Sequence, residues 1–268
     1  MPATEVEPAH AAEHLARSVR DAGALALKMF GTAMKNWTKG ASSPVCDADI
    51  AVDALLRERL CAAAPAAGWL SEETADDPAR LDARCVWIVD PIDGTRAYIA
   101  GLREWAVSAA LVENGRPIAA CLYAPALEEF FMAIAGAGAT LNNAAIAASK
   151  GTELANTRMA GPKPMIERLA AVAAPITVMP RIPSLALRLA RVAQGTYDAA
   201  FAGGNSHDWD LAAADLLVHE AGGALTTFGG EPVIYNRPEP RHGTLVAAGR
   251  DRHRSLVELL RDGRLVNS

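Results

Sequence analysis

Two carboxylates three residues apart, Asp90 and Asp93, close an apolar run in the segment Val-Trp-Ile-Val-Asp-Pro-Ile-Asp-Gly-Thr at residues 86–95. Pro91 stiffens the backbone between them and Asp93-Gly94 predicts a tight turn, so both acids can converge on one point. Gly94 lacks a Cβ and lets a bulky anion approach the backbone. From Thr95 the chain reads as the start of a helix, whose N–H groups suit a phosphate. An isolated Asp-x-x-Asp is ordinarily a strand followed by an Asx-type turn. Here the two acids adjoin an anion cradle, which is electrostatically unfavourable unless cations lie between them.

Other acids stand where a cation site could recruit them. They are Glu72 and Glu73 in Leu70-Ser71-Glu72-Glu73-Thr74, Asp47 and Asp49 in Pro44-Val45-Cys46-Asp47-Ala48-Asp49, and Asp210 after Trp209. Every candidate ligand is a carboxylate or a carbonyl, with no Cys or His among them. Such hard oxygen donors select magnesium or manganese over zinc or copper. Paired ions of that kind polarise a phosphoryl oxygen and lower the pKa of an attacking water. Asp210 could also simply cap its helix, and the two roles are compatible. Trp209 reads as core, and His207, the one of six histidines near a motif, reads as a loop residue.

The elements that must position these groups follow from hydrophobic periodicity. Val86–Val89 is short, β-branched and bounded by a turn, which predicts a buried strand with Asp90 at its C-terminal end, where layered α/β proteins gather ligands. Residues 9–30 and Asp47 to about Ala63 predict amphipathic helices, and a short strand at Gly68–Leu70 delivers Glu72 to its end. Three strand-like runs follow at Ala106–Val112, Ile118–Tyr123 and Glu129–Ala133, separated by turn signals. Asn142-Asn143 marks a further turn. Beyond residue 150 the pattern alternates: strand near Ile176–Met179, helix Leu185–Gln194 stopped by Gly195, strand Tyr197–Phe201. Helix Asp210–Glu220 closed by Gly222-Gly223, strand Thr244–Ala248 and helix Arg252–Arg261 complete it. A strand-rich first half and an alternating second half imply an α/β layered sandwich in two halves, 1–150 and 151–268, the first carrying most of the acids.

Composition sets wider bounds. The 268 residues are 51% hydrophobic and 21% charged with a net charge of −5, an ordinary soluble globular balance that disfavours nucleic acid as the main partner. It leaves a phosphorylated substrate open, because bound divalent cations reverse the local field. The N-terminal residues carry neither a basic start nor an apolar core, no membrane span is expected, and four scattered cysteines suggest free thiols in a cytoplasmic protein. A dinucleotide-binding oxidoreductase is set aside, since no Gly-x-Gly-x-x-Gly follows a strand.

The Asp-Pro-Ile-Asp-Gly-Thr segment, the upstream Glu72-Glu73 pair, the Trp209-Asp210 helix opening and the Pro44–Asp49 segment occur in one order. Together they resemble the inositol monophosphatase family of metal-dependent, lithium-sensitive phosphatases over roughly residues 10–260. The resemblance implies an α-β-α-β-α sandwich of the inositol monophosphatase and fructose-1,6-bisphosphatase type, with the active site between the halves. It implies that Glu72, Asp90 and the Ile92 carbonyl hold one Mg2+, and that Asp90, Asp93 and Asp210 hold a second, with Asp90 bridging. A third ion and Mn2+ are compatible with it, and Li+ is the implied inhibitor. Thr95 is then the partner of the attacking water, with Asp49 accepting its proton, because a threonine hydroxyl is too weak a base alone. Glu72 shares in orienting or deprotonating the water. The Gly94 and Thr95 backbone N–H groups, together with Arg96 and Ser184, are the phosphate and substrate contacts, and attack is direct and in line. A homodimer is a family expectation.

Substrate choice departs from the inositol pattern. Gly203 stands where inositol enzymes of the family carry a glutamate that reads polyol hydroxyls. Arg96-Ala97-Tyr98 replaces Thr-Asn-Phe, and Leu-Ser-Glu-Glu is more similar to the nucleotidase and histidinol-phosphatase branches. Pro183 precedes Ser184 where a glycine is expected, and Cys46 replaces a threonine. These features give a 3'(2'),5'-bisphosphate nucleotidase as the expected activity, with inositol-1-phosphate or histidinol-phosphate phosphatase as the alternative. A regulatory binding protein on the same fold is a more distant reading, disfavoured because buried unpaired acids are costly without a metal.

Overall fold

The computed structural model describes residues 8–33, 35–39, 43–173 and 175–261. Residues 1–7, on which the absence of a signal peptide was argued, lie outside them. The described chain opens with helix α1 (Pro8–Met29), the antiparallel pair β1 (Asn36–Lys39) and β2 (Ser43–Cys46), and helix α2 (Asp47–Ala63). Strands β3 (Gly68–Ser71) and β4 (Cys85–Asp93) run parallel, and a short helix α3 (Thr95–Ile99) follows. An antiparallel meander then adds β5 (Ala106–Glu113), β6 (Arg116–Ala124), β7 (Glu129–Ile134), β8 (Gly138–Leu141) and β9 (Ala144–Ala145). The seven strands β3 to β9 lie side by side in chain order.

The second series is β10 (Arg158–Ala160), α4 (Lys163–Ala173), β11 (Thr177–Val178), α5 (Leu185–Ala193), β12 (Ala199–Ala202) and β13 (Ser206–His207). It continues with α6 (Asp208–Glu220), β14 (Gly223–Thr227), β15 (Arg241–His242), β16 (Leu245–Gly249) and α7 (Arg250–Arg261). Five of these strands form a second sheet in the order β11-β10-β12-β16-β14, while β13 pairs with β15.

Side-chain alternation shows how the layers stack. Along β4, Val86 and Ile88 enter a core shared with α5, α6 and the second sheet, whereas Trp87 and Val89 enter a core with α1 and α2. The strand is apolar on both faces, which is why its sequence is a continuous run rather than an alternation. In β12, Ala200 and Ala202 face the central core, and Phe201 faces an outer core with Ile166 of α4 and Leu256 of α7. The order is therefore α1 and α2, first sheet, α5 and α6, second sheet, α4 and α7. These are the five alternating layers that the family resemblance implies. Helix α6, pressed between two sheets, is apolar nearly all round, with Leu211, Ala214, Leu217 and Val218 fully or almost fully buried. At its far end Glu220 accepts the Gly136 and Gly138 amides, each at 2.9 Å, so the β7–β8 turn is tied to the helix C-terminus.

Several elements differ from the sequence reading. The three-strand meander extends through β8 and β9, α6 begins two residues early at Asp208, and β10, α4 and β14 went unread. No described helix is long and apolar enough to cross a membrane.

Candidate active site

The ladder between β4 and β5 shifts register between Asp90, opposite Ser108, and Asp93, opposite Ala106. Pro91, with no N–H to donate, sits in that interval. Strand β4 thus carries both acids to its end instead of stopping at the first. Asp90 Oδ1 accepts the Ile92 amide at 3.0 Å, and both aspartates are buried. Gly94 follows at φ +96°, and a Cβ there would stand 3.3 Å from the Ser184 nitrogen and the Glu104 carbonyl. Backbone conformation and close approach both require glycine at this corner.

Asp210 reaches the same place from α6. Its carboxylate accepts the His207 amide at 2.6 Å, closing the first turn of the helix. Asp90, Asp93 and Asp210 each offer a carboxylate oxygen within 4.8 Å of the others. Glu72, just past the end of β3, lines the same cleft. Its loop is fixed by Asp53 of α2, which accepts the Ser71 hydroxyl at 2.5 Å and the Thr74 hydroxyl at 2.6 Å. Asp53 was not singled out from the sequence, although it lies one helical turn beyond Asp49.

The acids repel one another. Burial pushes the Glu72 carboxyl up to about 8, reinforced by the charges of Asp210, Glu73, Asp49 and Asp93. Burial and then Asp210 push Asp93 up to about 7, against three hydrogen bonds that favour its charged form. Asp90 is raised well above the ordinary carboxylate range, by burial first and Glu72 second. Bringing so many buried acids together is unfavourable without cations, and all the donors are oxygen. The residues therefore fit one or more hard divalent cations.

Thr95 lies beside this centre. Its hydroxyl has one proton and two acceptors within reach, Asp49 Oδ1 at 3.2 Å and the Ile92 carbonyl at 3.0 Å. Asp49 is in turn held by the Cys46 amide at 2.7 Å and the Cys46 thiol at 2.8 Å. Cys46 thus supplies the polar partner that a threonine would have given. Burial raises the Asp49 pKa, while its hydrogen bonds from Cys46 and Thr95 oppose the shift. Asp47 faces elsewhere and accepts the Lys35 amide at 3.0 Å.

These groups open on a cleft of about 1050 Å³. Among the residues named from the sequence, Glu72, Asp90, Asp93, Gly94, Thr95, Arg96 and Asp210 line it, together with Gly203. Ser184 does not. Expected as a substrate contact, it is fully buried, donates its hydroxyl to Asp93 and accepts the Leu187 amide at 3.0 Å. Its place is beneath the site, holding Asp93. Trp209 and His207 also line the cleft, stacked with ring centroids 4.6 Å apart and planes within 3°. Neither was given to the site by the sequence reading. Arg181 and Arg188 complete the wall on the α5 side.

An oxygen-only acidic centre beside a hydroxyl–carboxylate pair, opening on a cleft, suits hydrolysis of phosphate monoesters, and that is the class the fold and site define. The inositol monophosphatase family model matches residues 7–264. The chain belongs to the inositol monophosphatase family, whose members are hydrolases of phosphate monoesters. An inositol-1-monophosphatase of Mesorhizobium japonicum is 32% identical over 83% of this chain and 85% of its own length. The Nus factor SuhB of Xylella fastidiosa is 36% identical over 69% of each chain. Among solved structures, the extragenic suppressor protein suhB of Bartonella henselae superposes with a TM-score of 0.82 at 28% identity, covering 94% of this chain and 98% of that one.

Proposed function

We propose that the protein is a magnesium-dependent phosphatase of the inositol-1-phosphate type, acting on a small phosphorylated metabolite. The observation that carries this is the meeting of Asp90, Asp93 and Asp210 oxygens within 4.8 Å, with the Thr95–Asp49 pair alongside. The 32% identical relative named as an inositol-1-monophosphatase supports the inositol-phosphate alternative over the bisphosphate nucleotidase expected from the sequence. The family resemblance supports inhibition by Li+ and a cytoplasmic homodimer.

Glu72, Asp90, Asp93, Asp210 and the Ile92 carbonyl would hold the Mg2+ ions. When bound, such ions neutralise the acids, draw charge from the phosphoryl oxygens and make an attacking water more acidic. Thr95 Oγ1 donates to Asp49, leaving a lone pair to accept a proton from that water, and Asp49 receives the hydroxyl proton in turn. The raised Asp49 pKa suits an acceptor. Backbone amides at Gly94 and Thr95 orient the phosphate, with Arg96 at the rim. Ser184 acts indirectly, by keeping Asp93 aimed at the cluster.

The test is phosphate release from inositol 1-phosphate, histidinol phosphate and 3'-phosphoadenosine 5'-phosphate, with and without Mg2+ and Li+. Mg2+-dependent, lithium-sensitive turnover of inositol 1-phosphate is expected. Turnover of the nucleotide with none of inositol 1-phosphate would favour a bisphosphate nucleotidase instead. A second reading, a regulatory binding protein, draws support from relatives named as Nus factors. It requires that an Asp90→Asn variant without turnover keep its full biological effect, and loss of that effect would reject it.

A further inference from the structure

Arg188 lies on α5 and lines the cleft, yet only 6% of it is exposed. Its guanidinium donates to the Ile182 carbonyl at 3.0 and 3.3 Å and to the Phe201 carbonyl at 3.5 Å. Arg181, exposed on the same wall, is a like charge acting on it. Among the described residues neither arginine forms an ion pair with a carboxylate. Burial holds Arg188 below the ordinary arginine range, Asp93 opposes that shift and Arg181 adds to it. Tying two carbonyls together needs donors but no charge, and a buried cation without an anion is costly. Once cations neutralise the aspartates, the field of Asp93 no longer offsets this wall and its net charge is positive.

The cleft is open at two glycines that share its lining with the arginines. A Cβ on Gly204 would meet nothing within 4 Å, and one on Gly203 only Pro162 Cγ at 3.5 Å. No carboxylate stands at residue 203 to read hydroxyls, and the lining of the same cleft includes Arg181 and Arg188.

We propose that Arg188 and Arg181 form a receptor for a second anionic group on the leaving-group side of the substrate, either a phosphate or a carboxylate. The inference rests on the phosphatase reading above and narrows its substrate class from a phosphorylated polyol to a phosphomonoester bearing a further negative charge. Arg188 supplies the fixed donors at the back of the subsite, and its carbonyl clamps keep the planar guanidinium in one orientation. Arg181 closes the subsite from the mouth.

Two substrate pairs, each differing by the added anion, test this in the Mg2+-loaded full-length protein. Inositol 1,4-bisphosphate against inositol 1-phosphate reports a second phosphate, and 2-phosphoglycerate against glycerol 2-phosphate reports a carboxylate. The kcat/KM ratio within at least one pair should favour the doubly anionic ester by about tenfold or more, the scale of one charge-assisted hydrogen bond. Arg188→Gln and Arg181→Gln should each pull that ratio back by roughly tenfold, chiefly through KM. Arg181 is exposed, so its variant carries the test if the Arg188 variant does not fold. Turnover with ratios at or below one in both pairs overturns the inference alone, as does a ratio that Arg181→Gln leaves unmoved. No turnover of any of the four esters overturns the phosphatase reading and this inference with it.

Discussion

The Ser184 hydroxyl donates to Asp93 while accepting the Leu187 amide, and Asp93 also accepts the Ala186 amide at 2.6 Å and the Leu185 amide at 3.2 Å. A candidate metal ligand at the end of β4 is therefore also part of the N-terminal cap of α5. The helix gains an anion where its exposed N–H groups favour one, and the carboxylate gains a fixed direction. Ser184→Ala removes both the cap and the donor to Asp93. Urea unfolding should show a loss of about 1–2 kcal/mol, and turnover should fall although residue 184 does not reach the cleft.

Thr95 and Asp49 separate the need for a hydroxyl from the need for a methyl group. Thr95→Ser keeps the oxygen and should retain most of kcat. Thr95→Val keeps the shape, removes the proton path to Asp49 and should lose roughly 10²–10⁴-fold in kcat, the range typical of general acid–base groups. Equal rates for the two variants would exclude a part for this hydroxyl in proton transfer.

The acidic centre makes a prediction about heat as well as rate. Thermal melts of the wild type should shift upward on adding Mg2+ and back on adding a chelator, because a ligand of the folded state stabilises it by mass action. Asp90→Asn relieves repulsion at a buried position and should raise the metal-free melting temperature while abolishing the Mg2+ shift. Asp210→Asn can still accept the His207 amide and keep the helix cap, so it should lose the Mg2+ shift without losing the fold.

Asp215 offers a pH test away from the metal ligands. Burial pushes its carboxyl up to about 7, against a 3.0 Å hydrogen bond from Tyr235 that favours the charged form. The folded-state pKa is above that of the unfolded chain, so this group stabilises the fold fully at pH values below about 4. That contribution is lost as pH rises toward 7, at up to about 1.4 kcal/mol per unit. Asp215→Asn should flatten the decline in unfolding free energy across this window. An unchanged slope would show that Asp215 is not its source.

Much of the acidic centre was legible because its parts are local. A continuous apolar run, a proline that cannot donate and a glycine at the corner specify the end of β4 almost without tertiary help. The start of α6 was misread by two residues because Asp210 looks like a cap from the sequence. In the structure it caps from the third helical position, reaching back to His207. Helix α4 went unread because Pro162 and Pro164 bracket its start and resemble a loop, and β10 spans only Arg158–Ala160. Ser184 could not be placed from its neighbours, since a serine opening a helix can face a ligand or a carboxylate from another layer. Arg188 was invisible for a related reason. A basic residue in an apolar helix ordinarily turns to solvent, and only the packing of α5 between two sheets reveals that it does not.

The clamp at the other end of α6 gives the molecule a mechanical property. The helix runs for about 20 Å from Asp208 to Glu220, with Asp210 of its first turn in the acidic centre and Glu220 tied to the β7–β8 turn. If the helix moves as one body, occupancy at its first turn is linked to opening of the turn at its far end. A cation seated at Asp210 should slow hydrogen exchange at the Gly136 and Gly138 amides, although neither touches the cleft. Exchange at these two amides that is indifferent to the cation would show that the two ends of the helix move independently.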